Sequence, residues 1–125
     1  VSQCLEDSSM STIKVDNLQT TGGASQYTAK AWVNFNQQGV QSIRLDGNVS
    51  SLTDNGTGQT TISFSSLIST SSYSLSGAAT LNTVRSAIIG PREGSAYSTS
   101  SVWVLCQSDG GSFTDSQIAS IQVTV

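Results

Sequence analysis

A period of two dominates this chain: apolar and polar residues alternate in short runs, and clusters of Gly, Asn and Asp separate the runs. Successive side chains of a strand point to opposite faces, so this pattern predicts half-buried strands rather than helices. The runs fall at residues 12–16 (TIKVD), 28–35 (TAKAWVNF), 40–45 (VQSIRL), 48–53 (NVSSLT), 60–64 (TTISF), 72–80 (SYSLSGAAT), 100–107 (SSVWVLCQ) and 121–125 (IQVTV). Residues 36–39, 46–47, 54–58 and 109–111 punctuate them, because Gly and Asn tolerate the positive φ that tight turns demand. Strands that recur every eight to twelve residues or so predict an all-β fold, an antiparallel β-sandwich or a jelly-roll-like barrel. Helix competes poorly, since β-branched and hydroxyl residues fill most windows. A short helical turn at 115–120 is the sole helical expectation.

A chain of 125 residues has room for one domain. Residues 1–25 are polar and glycine-containing apart from the short TIKV run, which predicts an arm ordered by a partner, and 26–125 form the single β-domain. Within the arm, Ile13, Val15 and Leu18 are the apolar contact candidates. Ser and Thr supply roughly a third of the chain, whereas charged residues supply 10% and apolar residues 36%. Low charge and one proline argue for an ordered domain rather than a disordered one. A small domain with so modest an apolar content has a thin margin of stability, which association would widen.

The parity of two strands sharpens that point. Ala29, Ala31, Val33 and Phe35 share one face while Lys30, Trp32 and Asn34 share the other. Likewise Val102, Val104 and Cys106 oppose Trp103 and Leu105. A large aromatic therefore stands on the nominally outer face of both strands. Either these indoles lie flat on the surface or under a loop of the same chain, or the second face meets another subunit. In the second case Trp32, Trp103 and Leu105 are the interface candidates.

Chemistry-bearing patterns are sparse. The chain has no histidine, which removes the commonest general base and the commonest transition-metal ligand. Asp46, Asp54, Asp109 and Asp115 neighbour Gly, Asn, Ser or Thr, where short carboxylates cap turns, and no enzymatic activity is expected. The loops at 54–58 and 109–111 lack the alternating ligands of an EF-hand, and no glycine-rich stretch opens a helix with a Lys-Ser/Thr pair, so no cofactor is expected. A net charge of -3 with five scattered basic residues gives no nucleic-acid face. No apolar run is long enough to insert in a membrane as a helix. Cys106 alternates with Val102 and Val104, which favours a buried free thiol over pairing with Cys4 but leaves the redox compartment open. The sequons at Asn48 and Asn55 arise easily by chance in so Ser/Thr-rich a chain.

Two stretches carry a resemblance. MSTIKVDNLQTTGG (10–23) is similar to the opening of small virion proteins of tailed bacteriophages. AWVNFN (31–36) followed by IRLDGNVSSLTDNGTGQTTISF (43–64) resembles a segment that recurs in their fibre-like and particle-surface proteins, with Trp32, Phe35, Asn48 and the 54–58 turn in order. The resemblance covers about Met10 to Phe64; in that family Met10 would be the start, whereas Val1 to Ser9 precede it here. It implies a β-rich homotrimer with a structural role on the virion surface, as a capsid decoration or cement protein or a head or tail fibre component. The implied partners are copies of itself and other virion proteins of capsid or tail. The alternative it leaves open is a receptor-recognition adhesin binding host surface glycan, with Trp32, Trp103, Tyr73 or Tyr97 stacking on a sugar ring.

Overall fold

The computed structural model describes residues 19, 21–23, 28–81, 85–94 and 97–125. Eight strands follow one another: β1 (Ala29–Asn36), β2 (Ser42–Gly47), β3 (Val49–Gly56), β4 (Gln59–Phe64), β5 (Ser74–Leu81), β6 (Arg85–Pro91), β7 (Ser101–Gln107) and β8 (Ala119–Thr124). They pair antiparallel in the order β2-β1-β8-β5-β6-β7-β4-β3, one sheet nearly closed into a barrel. The all-β antiparallel architecture expected from the alternation is thus present, as the barrel-like solution. The run at 12–16 and the arm residues Ile13, Val15 and Leu18 lie outside the described residues.

Two features bend the sheet back on itself. β6 pairs with β5 through Ala87, Ser86 and Arg85, then with β7 through Ile88 to Pro91, so one strand serves both halves. At the opposite side β2 and β3 are one run of chain broken at Asn48, whose φ of 59° is the only positive φ of a non-glycine residue among those described. Asn tolerates this left-handed conformation better than most residues. Its side chain fixes the corner: Nδ2 lies 3.0 Å from the carbonyls of both Lys30 and Ser66, and Oδ1 accepts the Ser66 N–H at 2.7 Å. Its own carbonyl accepts the Ser65 N–H, and the Asp46 carboxylate accepts the Val49 N–H across the bend.

Inside the sheet lie the residues that the parity of the strands assigns there. Ala31, Val33 and Phe35 of β1, Val102, Val104 and Cys106 of β7, and Ala119, Ile121 and Val123 of β8 are all buried. Each fully buried Val or Phe contributes about 1.5–3 kcal/mol relative to exposure. One end of the core is aromatic, with Tyr73 packed edge-on against Phe64 and Tyr97, and its hydroxyl near the Ser98 and Ser101 carbonyls. The other end is polar. There Gln37, 1% exposed, donates from Nε2 to Thr60 Oγ1 at 3.0 Å, and Thr60 donates on to Gln41 Oε1 at 2.7 Å. Gln37 Oε1 accepts the Ser116 N–H, and the Gln37 N–H reaches the Ser116 carbonyl. Buried polar groups are tolerable only when paired in this way.

This network overturns the expectation of a helical turn at 115–120. Residues 115–116 have no regular structure, 117–118 form a bend, and 119–120 already belong to β8. The backbone of Ser116 is committed to Gln37, and its hydroxyl accepts the Thr80 N–H while lying 2.7 Å from the carbonyls of Thr80 and Ile118. Long-range partners thus replace the local bonds a helix would make. The other correction is β6, where no strand is expected from the sequence. Its consecutive Ile88 and Ile89 and terminal Gly90-Pro91 obscure the alternation, and Pro is tolerated because it closes the strand. Gly58, at φ 68°, is needed for the 54–58 turn: a Cβ there would lie 2.8 Å from the Thr114 backbone. The turn is tied down by Gly58 N–H donating to Asp115 and by the Gly58 carbonyl accepting the Cys106 N–H.

Two predictions follow from the core. Thr60→Val keeps the volume but strands Gln37 Nε2 and Gln41 Oε1, and is expected to cost about 2 kcal/mol, read as a lower urea midpoint at unchanged slope. Cys106 is a buried free thiol. Burial, with a smaller contribution from the Asp115 carboxylate, pushes it from 9.0 up to about 11, and burial also raises Tyr73. The native state therefore holds these protons more tightly than the unfolded chain. Stability is expected to be insensitive to these groups through neutral pH and to fall as pH climbs above 9, by at most about 1.4 kcal/mol per unit for the thiol. Denaturation midpoints recorded from pH 7 to 11, with Cys106→Ala as the control for the thiol, check it.

Candidate functional site

The functional candidates stand on the outer face of the sheet, and they fall into two separate places. Trp103 and Leu105 alternate with the buried valines of β7 and share its outer face. Leu105 pairs with Gln59 of β4 on one side and Gly90 of β6 on the other. Trp32 projects from β1, paired with Gly47 of β2 and Gln122 of β8. β8, β5 and β6 lie between β1 and β7, so the fold does not bring the two indoles together.

Around Leu105 the outer face mixes apolar side chains with Gln59 and Gln107. Ile88 of β6 pairs with Gln107, and Gln107 bridges in turn to Phe113, so these residues share a face next to Leu105. Ile88 is 68% exposed and Phe113 45% exposed. Trp103 is half-buried, because the Arg92 guanidinium lies 4.3 Å from its ring centroid while the Arg92 N–H bonds to the Trp103 carbonyl. Such a cation–π contact contributes about 0.5–1 kcal/mol at a partly exposed site. Trp103 Nε1 is buried without a hydrogen-bond acceptor among the described residues.

Trp32 is 39% exposed and lies against Gly47. A Cβ at position 47 would fall 2.8 Å from the indole Cδ1 and Cε2, and nearer still to Nε1. Glycine at 47 is what lets the ring settle on β2. On its other side the indole borders a shallow trough of about 470 Å³ that also involves Asn34, Ser76, Ala78, Ser120 and Gln122. Leu45, 65% exposed, stands beside this region on β2, opposite Asn34.

The remaining candidates are structural in their contacts. Tyr73 is buried in the aromatic end of the core, and the half-buried Tyr97 packs edge-on against it. Asp46, Asp54 and Asp115 each accept a backbone N–H at a turn. Among the described residues no group of three or more His, Cys, Asp or Glu could hold a metal ion, and no helix is long and apolar enough to cross a membrane. The amide nitrogens of both sequon asparagines are engaged, Asn48 with two carbonyls and Asn55 with Thr61 Oγ1. Parity reasoning found both tryptophans and Leu105 but missed Ile88, Phe113, Leu45 and Gln122. Gln122 alternates with Ile121 and Val123 in the sequence, yet nothing there tells that β8 lies beside β1.

No family model matches the chain. No curated protein sequence and no solved structure is significantly similar to it.

Gly47→Ala is expected to drive the Trp32 indole off its seat, red-shifting tryptophan emission and lowering stability by about 1–3 kcal/mol. The same substitution in a Trp32→Phe background, where the ring is smaller, should cost less.

Proposed function

We propose that this chain is a non-enzymatic surface module of a bacteriophage particle, a homotrimer that decorates the capsid or forms part of a head or tail fibre. The observation that carries this reading is the outward apolar cluster of Ile88, Leu105 and Phe113 on β6, β7 and the following loop. The outer face of an antiparallel sheet is ordinarily polar, and exposed apolar side chains grouped around Gln107 fit a surface that another molecule covers. Packing against a second copy would bury this patch, and a rotation that closes after three copies would leave none of it open. The resemblance over Met10 to Phe64 supplies the setting, a virion surface with capsid or tail proteins as neighbours. Residues 1–25, with Ile13, Val15 and Leu18 as their apolar contacts, are proposed to attach the trimer to the particle.

Sedimentation equilibrium of the full chain at micromolar concentration is expected to return three times the 13.0 kDa chain mass. Ile88→Asp should release monomers that keep the native circular dichroism spectrum, since Ile88 contributes little to the protomer core. A monomeric wild-type chain across the concentration range would refute the assembly reading. Removal of residues 1–25 should leave the domain soluble while abolishing occupancy on particles.

A further inference from the structure

The trough beside Trp32 lies on a different part of the sheet from the apolar cluster, and its chemistry is different. β1, β8 and β5 are hydrogen-bonded neighbours, and their registers place Trp32, Gln122 and Ser76 in one row and Asn34, Ser120 and Ala78 in the next. Side chains of paired residues in a sheet share a face, so these six residues form one continuous surface. Small side chains at Ser76, Ala78 and Ser120 keep the floor low. Gly77 between them leaves no room for a Cβ, which would lie 2.6 Å from Ile121 Cδ1 and 2.7 Å from the Ser120 carbonyl. Trp32, its indole seated over Gly47, borders the trough on the β1 side.

Among the described residues, Gln122, Ser76 and Ser120 find no side-chain hydrogen-bond partner. Asn34 is held at one end only. Its Oδ1 accepts from Arg44 Nη1 at 3.3 Å, and Arg44 is itself fixed by the Phe35 and Gln117 carbonyls, which leaves the Asn34 NH2 as an open donor. Among the described residues, none that lines the trough is charged.

We infer that this trough is a binding site for a neutral hexopyranoside. A pyranose presents an apolar C–H face that lies against an aromatic ring, and a rim of hydroxyls that amide and hydroxyl side chains can bond as both donors and acceptors. Trp32 supplies the ring, and Gln122, Asn34, Ser76 and Ser120 supply the polar contacts. The cation bonded to the lining, Arg44, is already committed to Asn34 and to the Phe35 and Gln117 carbonyls, which disfavours phosphorylated or acidic sugars, since these call for a free one. A peptide adding as a strand would use the backbone edge of β5 beside Ser74–Ala78, where β6 is not paired with it, and not the sheet face that carries the trough side chains. The volume falls within the range of small-molecule sites, roughly 300–1,000 Å³. With only one wall, the site should bind weakly, with Kd on the order of 1 mM. The inference does not depend on the trimer, because the lining residues lie on β1, β5 and β8 and the apolar cluster on β6, β7 and the loop after β7.

The two tryptophans make the test internally controlled. The full-length 15N-labelled chain is titrated with methyl α-glucopyranoside, methyl β-galactopyranoside and methyl α-mannopyranoside. At least one should shift the Trp32 indole N–H and the Gln122 side-chain amide saturably while the Trp103 indole N–H stays in place. Gln122→Ala, a change at an exposed position that the fold should absorb, and Trp32→Ala should each weaken that glycoside about tenfold or more. Ile88→Asp should bind as the wild type does, whatever its effect on assembly. Absence of a saturable shift with all three glycosides up to about a hundred times the expected Kd would overturn the inference. So would shifts of equal affinity in the wild type and both trough variants.

Discussion

An eight-stranded antiparallel sheet has two raw edges unless something turns its ends toward each other, and here that task falls to Asn48. The chain passes through this residue from the last strand at one end of the sheet, β2, to the last strand at the other, β3. The bend demands a left-handed backbone, and the amide group then clamps β1 and the segment after β4 to the corner. A residue without that amide could adopt the bend, if it were glycine, but could not hold the two neighbours. Closure at this point limits how much strand edge is left for unwanted pairing with other chains.

With the ends brought together, the interior has to be filled from both halves, and the two ends of the core solve this differently. Tyr73, Phe64 and Tyr97 fill one end by area, with the Tyr73 hydroxyl reaching backbone carbonyls at the boundary. Gln37, Thr60, Gln41 and Ser116 fill the other by a chain of donors and acceptors that ties the ends of β1, the start of β4 and the approach to β8 together. The apolar end tolerates a range of shapes. The polar end admits one arrangement, because each amide and hydroxyl must find its complement, and it thereby fixes register where the strands alone leave it loose.

How far the sequence reveals this fold depends on whether the information is local. Alternation around Val33, Ile62, Val104 and Ile121 is enough to identify most strands and their buried faces, because a period of two is a property of each segment by itself. The turn at 54–58 is equally local, since its glycines answer to the backbone. β6 is not legible, because its pairing is divided between two neighbours and its alternation is blurred by Ile88 and Ile89. Ser116 misleads for the opposite reason: its short segment has modest local preferences, which a partner 79 residues away in Gln37 overrides. The outer-face sites are half legible. Trp32 and Trp103 stand out by parity, but whether they meet depends on the order of the strands, which no segment encodes alone.

That order has a consequence for how the molecule comes into being. β1, the first strand, lies against β8, the last, and β8 also separates β1 from β5. A chain emerging from the ribosome can form the β1–β2 and β3–β4 hairpins early, yet the second side of β1 stays unpaired until residues 119–124 are free. Contacts so distant along the chain slow folding and prolong the exposure of unpaired strands. Ile121 and Val123 act as the keystone of the arch, and a nascent polypeptide stalled shortly before them would display Val33 and Phe35 to whatever chaperone or sister chain is at hand.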